Sequence, residues 1–175
     1  MTFEATRYWP AGEARRNKTM RRQEFESDLH APPNMNRSAS VVWEGNLRNG
    51  TGAMSTESGV LFNTQYSFRT RFQEGIGTNP DELIAASLGG CFSMALSHEL
   101  ELVGLHSERI ETTATATLEE LAAGWTLTRL QLDVHARVPH AMQGHFIDAA
   151  LAAKTKCPMS RLLNANISMN ARLDA

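Results

Sequence analysis

The stretch Asn79-Pro80-Asp81-Glu82-Leu83-Ile84-Ala85-Ala86-Ser87-Leu88-Gly89-Gly90-Cys91-Phe92-Ser93-Met94-Ala95-Leu96 holds the start of a long helix and one of the chain's two cysteines. Asparagine is a strong N-cap, and Glu82 completes a capping-box-like spacing. Proline suits the first helical position because its missing N–H would have no partner there. The apolar run continues to Val103, where Gly104 is a natural stop. The sequence therefore predicts a helix over residues 80–103. Cys91 lies about three turns inside it, beyond the end effect of the helix dipole. The small residues Ala85, Ala86, Ser87, Gly89 and Gly90 let another backbone or a substrate come close.

Strand patterns flank this helix on both sides. Residues 38–44 with Trp43, then 52–58, then 65–72 are short alternating runs separated by Gly and Asn turns, as in an antiparallel meander. In the third run Tyr66, Phe68, Thr70 and Phe72 would share one face, and Ser67, Arg69 and Arg71 the other. Beyond the helix, Ile110, Thr112, Ala114, Ala116 and Leu118 alternate as one strand. After a turn at Ala122-Ala123-Gly124, Leu130, Leu132, Val134, Ala136 and Val138 line a second. A second helix is expected over residues 141–156, a short one after Cys157-Pro158, and a closing strand over 166–173. Strands, helix, hairpin, helices and strand make an α+β protein: antiparallel sheets packed around a long central helix that carries Cys91, not a doubly wound sheet.

The chain has 175 residues, of which 42% are hydrophobic and 21% charged, with a net charge of −2. One domain with a substantial core follows. The near-neutral charge gives no reason to expect nucleic acid or an anionic membrane as partner. No run approaches the roughly 18 consecutive apolar residues of a membrane span, and the first residues lack an apolar signal-peptide core. The protein is expected in the cytoplasm, where a disulfide between two cysteines is more often transient and catalytic than structural. Before residue 35, six basic residues interleave with five acidic ones and apolar residues are scattered. Residues 1–34 read as a poorly packed arm; a weak helix over 13–29 and a misassigned start upstream of Met35 are the competing readings. Residues 35–175 form the domain.

The second cysteine lies in Lys156-Cys157-Pro158-Met159-Ser160. With Pro158 at the first helical position, Cys157 is the expected N-cap, facing unpaired N–H groups and the positive end of the helix dipole, both of which lower a thiol's pKa. His135, His140 and His145 fall on a strand, a connection and a helix, a spacing that fits no zinc pattern on one element. No G-x-S-x-G elbow is present to suggest a hydrolase.

Together these motifs resemble the OsmC/Ohr family of thiol-dependent organic hydroperoxide reductases, and its OsmC branch in particular. The resemblance rests on residues 50–61 (Gly50-Thr51-Gly52 through Gly59-Val60-Leu61), Thr70-Arg71-Phe72, residues 77–86, Cys91-Phe92-Ser93-Met94-Ala95-Leu96 and Cys157-Pro158. It runs from about Ser38 to Leu173. It implies an OsmC-like fold, an intertwined homodimer with active sites at the interface, a peroxidatic cysteine at Cys91 and a resolving cysteine at Cys157. Arg71 and an acidic residue at Asp81 complete the implied site. The family usually has glutamate at that position, so the shorter aspartate is a departure, with Glu82 beside it. The substrate would be an organic hydroperoxide and the reductant a dithiol, a lipoylated protein or another dihydrolipoyl donor; neither metal nor organic cofactor is implied.

The residue types suit that chemistry. The thiolate attacks an O–O bond, yet an ordinary cysteine is only about 3% ionised at pH 7. A guanidinium that lowered the pKa by about two units would make the thiolate the major form, and arginine keeps its charge even when partly buried. Plainer roles stand beside these. Arg71 on a polar strand face would simply be solvated, with Arg69 as its substitute; Asp81 in a first helical turn is explained by the dipole. Phe72 and Phe92 would line an apolar substrate pocket or be plain core. Asp81 and Cys91 are about 15 Å apart along the helix and roughly 80° apart around it, so a partner subunit's contribution to Cys91 is the easier geometry. The alternative function is a non-enzymatic small-ligand binder of the same fold whose cysteines only sense oxidant.

Overall fold

Residues 35–174 are described by the computed structural model, and the expected arm over residues 1–34 lies outside them. Contacts divide the chain between Ser38 and Ala39, and every element below belongs to the second unit.

Strands β1 (Ala39–Glu44), β2 (Thr51–Thr56) and β3 (Thr64–Ser67) form an antiparallel sheet in chain order. Gly52 pairs with Trp43 on one side and Tyr66 on the other, and the two rings meet with centroids 5.5 Å apart. A Cβ on Gly52 would lie 2.2 Å from the Tyr66 ring, so only glycine lets these aromatics close over β2.

The third strand is shorter than its alternation predicts. It ends at Ser67, and Phe68–Phe72 is a one-turn helix, α1. The cause is a reciprocal cap. The Thr70 N–H donates to Ser67 Oγ at 3.3 Å, and the Ser67 N–H donates to Thr70 Oγ1 at 2.9 Å. The expected two-faced sorting of residues 66–72 is thereby lost, and Arg69 and Arg71 leave the sheet. Gly77 (φ +127°) then lets Thr78 bond the Gln65 carbonyl beside β3 and brings the chain into the long helix.

Helix α2 (Pro80–Leu102) starts as expected, with the Asn79 side chain accepting from the Glu82 N–H at 2.9 Å. It ends before Gly104, whose φ is +76°. By length and composition α2 is apolar enough to cross a membrane, which corrects the expectation that no segment comes near that limit. Its glycines, alanines and serines make up the apolar count without bulk. Leu88, Phe92, Leu96 and Leu100, spaced four apart on one face, are all fully buried in the core.

The second sheet has the order β4 (Arg109–Leu121), β5 (Gly124–Arg137), β6 (Asn166–Asp174). The β4–β5 hairpin is antiparallel, whereas β5 and β6 run parallel, so this sheet is mixed rather than wholly antiparallel. A parallel pair needs a long crossover; α3 (Gln143–Lys156) and α4 (Pro158–Leu162) form it. Leu130, Leu132, Val134 and Ala136 of β5 meet the α2 leucines and Phe146, Ala149, Ala150 and Ala153 of α3 in a single cluster that includes Cys157.

The Gly52 contact generates a test. Gly52→Ala should lower stability by about 1–3 kcal/mol in urea unfolding at fixed protein concentration, and most of that cost should vanish in a Tyr66→Ala background. Additive costs would show that the ring is not what excludes the methyl group.

Candidate active site

Short local structures position the candidate side chains on either side of α2. The Ser67–Thr70 cap sets the direction of α1 and so of Arg71. Asn79 ties α1 to the start of α2, its Nδ2 donating to the Thr70 carbonyl at 3.1 Å. Arg71 then reaches Asp81 with two donors, Nε to Oδ2 at 2.9 Å and Nη2 to Oδ1 at 3.0 Å. This bidentate pair fixes the guanidinium plane. Asp81, despite its shorter side chain, takes both bonds; Glu82 turns instead to the Thr78 hydroxyl and Asn79. Arg69, the substitute considered from the sequence, is exposed.

Cys157 is the joint between two helices. Its N–H closes α3 by donating to the Ala153 carbonyl at 2.9 Å, and the same residue is the N-cap of α4. The sequence expectation of an N-cap cysteine was half of the geometry. The residue also ends a 14-residue helix, whose negative pole opposes the positive pole of the five-residue one. The two poles offset each other at long range, and the N–H groups at the start of α4 act on the sulfur as individual hydrogen-bond donors.

Cys157 is fully buried and Cys91 partly exposed, and their sulfurs are 2.8 Å apart. Burial alone would push the Cys157 thiol up. Hydrogen bonds that a Cys157 thiolate accepts from the Cys91 S–H, from the Ser160 N–H and hydroxyl, and from the Met159 N–H outweigh it, leaving Cys157 below an ordinary thiol. Cys91 moves the other way. Burial raises it, and so do its hydrogen bond to Cys157 and the charge that Cys157 takes on; the Met159 N–H opposes only in part. As two thiols, either sulfur can donate; once one proton leaves, Cys157 holds the charge and Cys91 keeps its hydrogen.

Within one chain the residues thus assemble as two pairs rather than one cluster. Arg71 and Asp81 line an open groove of about 760 Å³ between the small-residue face of α2, with Ala86 and Gly90, and Thr112 and Ala114 of β4. Cys91 points to another side of α2, toward Cys157 and Met159 of α4. The guanidinium expected to activate Cys91 has no part in that thiol's balance within a single subunit. Phe92 is wholly enclosed in the core, where it packs rather than lines an opening. Phe72 packs against Phe68 and Trp125 with tilted rings, at 4.7 and 5.0 Å between centroids.

Sequence reasoning missed two features. Lys156 donates to both oxygens of Glu99, at 2.9 and 2.8 Å, and so fastens the residue before Cys157 to α2; no local pattern announces a pair 57 residues apart. The buried Ser160 hydroxyl has no hydrogen-bond partner, although Ser160 three places after an N-cap was a readable signal.

The model of the OsmC-like protein family matches residues 73–172. The chain belongs to that family. It is 40% identical over 139 residues to Peroxiredoxin OsmC of Escherichia coli strain K12, covering 79% of this chain and 97% of the relative. It is 28% identical over 102 residues to Organic hydroperoxide resistance protein-like 1 of Staphylococcus epidermidis, covering 58% of this chain and 72% of that protein. Among solved structures, an OsmC-like protein of Vibrio cholerae superposes with a TM-score of 0.65 at 13% identity, over 79% of this chain and all of the other. An OsmC-like α+β fold is thus shared with distant relatives.

The mutual influence of the two thiols can be measured. Cys157→Ala removes an acceptor and a negative neighbour, two of the causes that raise Cys91, so the Cys91 pKa should fall toward that of an ordinary thiol. Alkylation rates against pH would read it; an unchanged or higher value would contradict the pairing.

Proposed function

We propose that the chain is a thiol peroxidase that reduces organic hydroperoxides to alcohols. The observation that carries this is the side-by-side placement of Cys91 and Cys157, one partly exposed and one fully buried. The printed names of the relatives, a peroxiredoxin and an organic hydroperoxide resistance protein, support the same reading.

Cys91 is the accessible sulfur and meets the substrate. Its thiolate attacks one peroxide oxygen, the O–O bond breaks, the departing alkoxide takes a proton to become the alcohol, and Cys91 is left as a sulfenic acid. Cys157 then attacks that sulfur; the S–S bond forms, hydroxide leaves from Cys91, and it takes up the proton that Cys157 gave away. A dithiol outside the chain, a lipoylated protein or another dihydrolipoyl donor, reduces the disulfide by exchange. A reducing compartment, the cytoplasm, fits two cysteines used in this way.

A homodimer completes the site in this reading. Every residue of β1 is exposed on the single chain, Val41 at 57% and Val42 at 60% among them. An edge strand rich in β-branched residues is stable only when covered. The α2 groove, floored by small residues, accepts an equally close neighbour. Since Arg71 does not act on Cys91 of its own chain, the partner subunit supplies the guanidinium that makes Cys91 a thiolate.

Steady-state consumption of an organic hydroperoxide with a dihydrolipoyl donor tests the activity. Continuous turnover in the wild type and none in Cys91→Ser is expected; a single turnover followed by arrest would mark an oxidant sensor or binder instead. Arg71→Ala should slow the peroxide step tenfold or more, as the loss of about one pKa unit or more of electrostatic support requires, and Arg69→Ala much less. Refolding Arg71→Ala together with Cys91→Ser should raise turnover well above that of either variant alone. Failure of that mixture would place Arg71 and Cys91 of a working site in the same subunit.

A further inference from the structure

Ser160 is a donor with nothing to donate to. It is the third residue of α4, the position from which a serine side chain ordinarily accepts from the backbone N–H of the N-cap residue. Ser67 and Thr70 show that arrangement fulfilled elsewhere in this chain, the Ser67 N–H donating to Thr70 Oγ1 at 2.9 Å. At α4 it is pre-empted. The N-cap is Cys157, whose N–H already closes α3 on the Ala153 carbonyl. The Ser160 Oγ is left buried without a partner. A buried hydroxyl in that condition is rare and costs stability, so replacing it by a methyl group would be harmless or helpful if it served only the fold.

We propose that the Ser160 hydroxyl donates to the Cys157 sulfur when that sulfur becomes a thiolate, and so serves the step that closes the Cys91–Cys157 disulfide. The inference rests on the peroxidase reading for the word disulfide, but not for the hydrogen bond. In the resting dithiol state the hydroxyl is idle. When Cys157 loses its proton and turns on the oxidised Cys91, the O–H stabilises the charge until the S–S bond forms and hydroxide departs from Cys91 as water.

The Ser160 and Met159 N–H groups serve Cys157 in every state; among the side chains around it, the others leave this task to Ser160. From α2 it meets Cys91, which must be oxidised for the step to occur and then has no S–H to offer. Glu99 of α2 is held by Lys156 at 2.9 and 2.8 Å. Lys154 of α3 donates to the Ile167 carbonyl of β6 at 3.0 Å, and Arg161 of α4 is exposed. Once charged, Cys157 is stabilised by the Ser160 side chain among other donors, against the burial that raises its pKa. On oxidation of Cys91 the largest of those donors is withdrawn, and the share carried by Ser160 grows.

The test separates this claim from the peroxidase reading. In a Cys91→Ser background only Cys157 remains, so ultraviolet thiolate absorbance against pH titrates it alone. Ser160→Ala should move its midpoint up by about one pH unit, and Ser160→Thr, which keeps the hydroxyl, should leave it in place. With both cysteines present, rapid quenching after one equivalent of cumene hydroperoxide should show sulfenic acid forming at the wild-type rate in Ser160→Ala. Disulfide closure should be about tenfold slower at neutral pH, its rising limb displaced to higher pH, because the attacking form appears only above the raised pKa. An unmoved titration in Ser160→Ala overturns the proposal, as does closure at the wild-type rate and pH midpoint. A moved titration without any disulfide in the wild type would fault the peroxidase reading and leave the hydrogen bond standing.

Discussion

The contact between Cys91 and Cys157 depends on a joint in the backbone. Cys157 ends one helix and begins the next, so its Cα cannot shift without disturbing the Ala153 bond on one side and the start at Pro158 on the other. That joint is packed into the main core with Phe146, Ala150, Ala153 and the α2 leucines, and Lys156 fastens it to Glu99 on α2 from the preceding position. The placement of a sulfur at 2.8 Å from another is thus a property of the whole core, not of the cysteines. Side chains this confined are held in one arrangement by packing as dense as an organic crystal.

The same confinement explains why the two sulfurs differ. Both lose water, which raises both, but Cys157 is surrounded by donors at a helix start while Cys91 lies inside α2, where the backbone N–H groups are already spent on the helix. The single chain therefore favours the thiolate at Cys157 over that at Cys91, the sulfur proposed to meet peroxide. The group suited to correct this, the Arg71 guanidinium clamped by Asp81, stands over a groove on another side of α2. An exposed Val-Val-Trp strand and a groove of small residues on the same unit suit the proposed second copy, which would bring the two halves together.

Much of this arrangement could be read from residue types. Asn79-Pro80 and Gly104 bound α2 nearly to the residue, because caps are local chemistry. The period-two pattern from Leu130 to Val138 names the core face of β5, since only one face of that strand is buried. Three features escaped. Residues 65–72 alternate convincingly as a strand, and the reciprocal Ser67–Thr70 cap overrides that alternation. The parallel β5–β6 pair was implied by the helical crossover before it, but alternation within β6 says nothing of direction. The division of the site into two pairs follows from helix rotation, which was calculable, and from where α1 aims Arg71, which was not while residues 68–72 were taken as a strand. The position of Ser160 was readable, but not its lack of a partner, which depends on Ala153 having claimed the Cys157 N–H.

The central claim is that Cys91 and Cys157 of one chain are a redox couple. Mass spectrometry of protein treated with one equivalent of organic hydroperoxide and digested under non-reducing conditions tests it most directly. The account predicts an intramolecular Cys91–Cys157 linkage that a dithiol reverses; both thiols still free, or linkages only between chains, would contradict it.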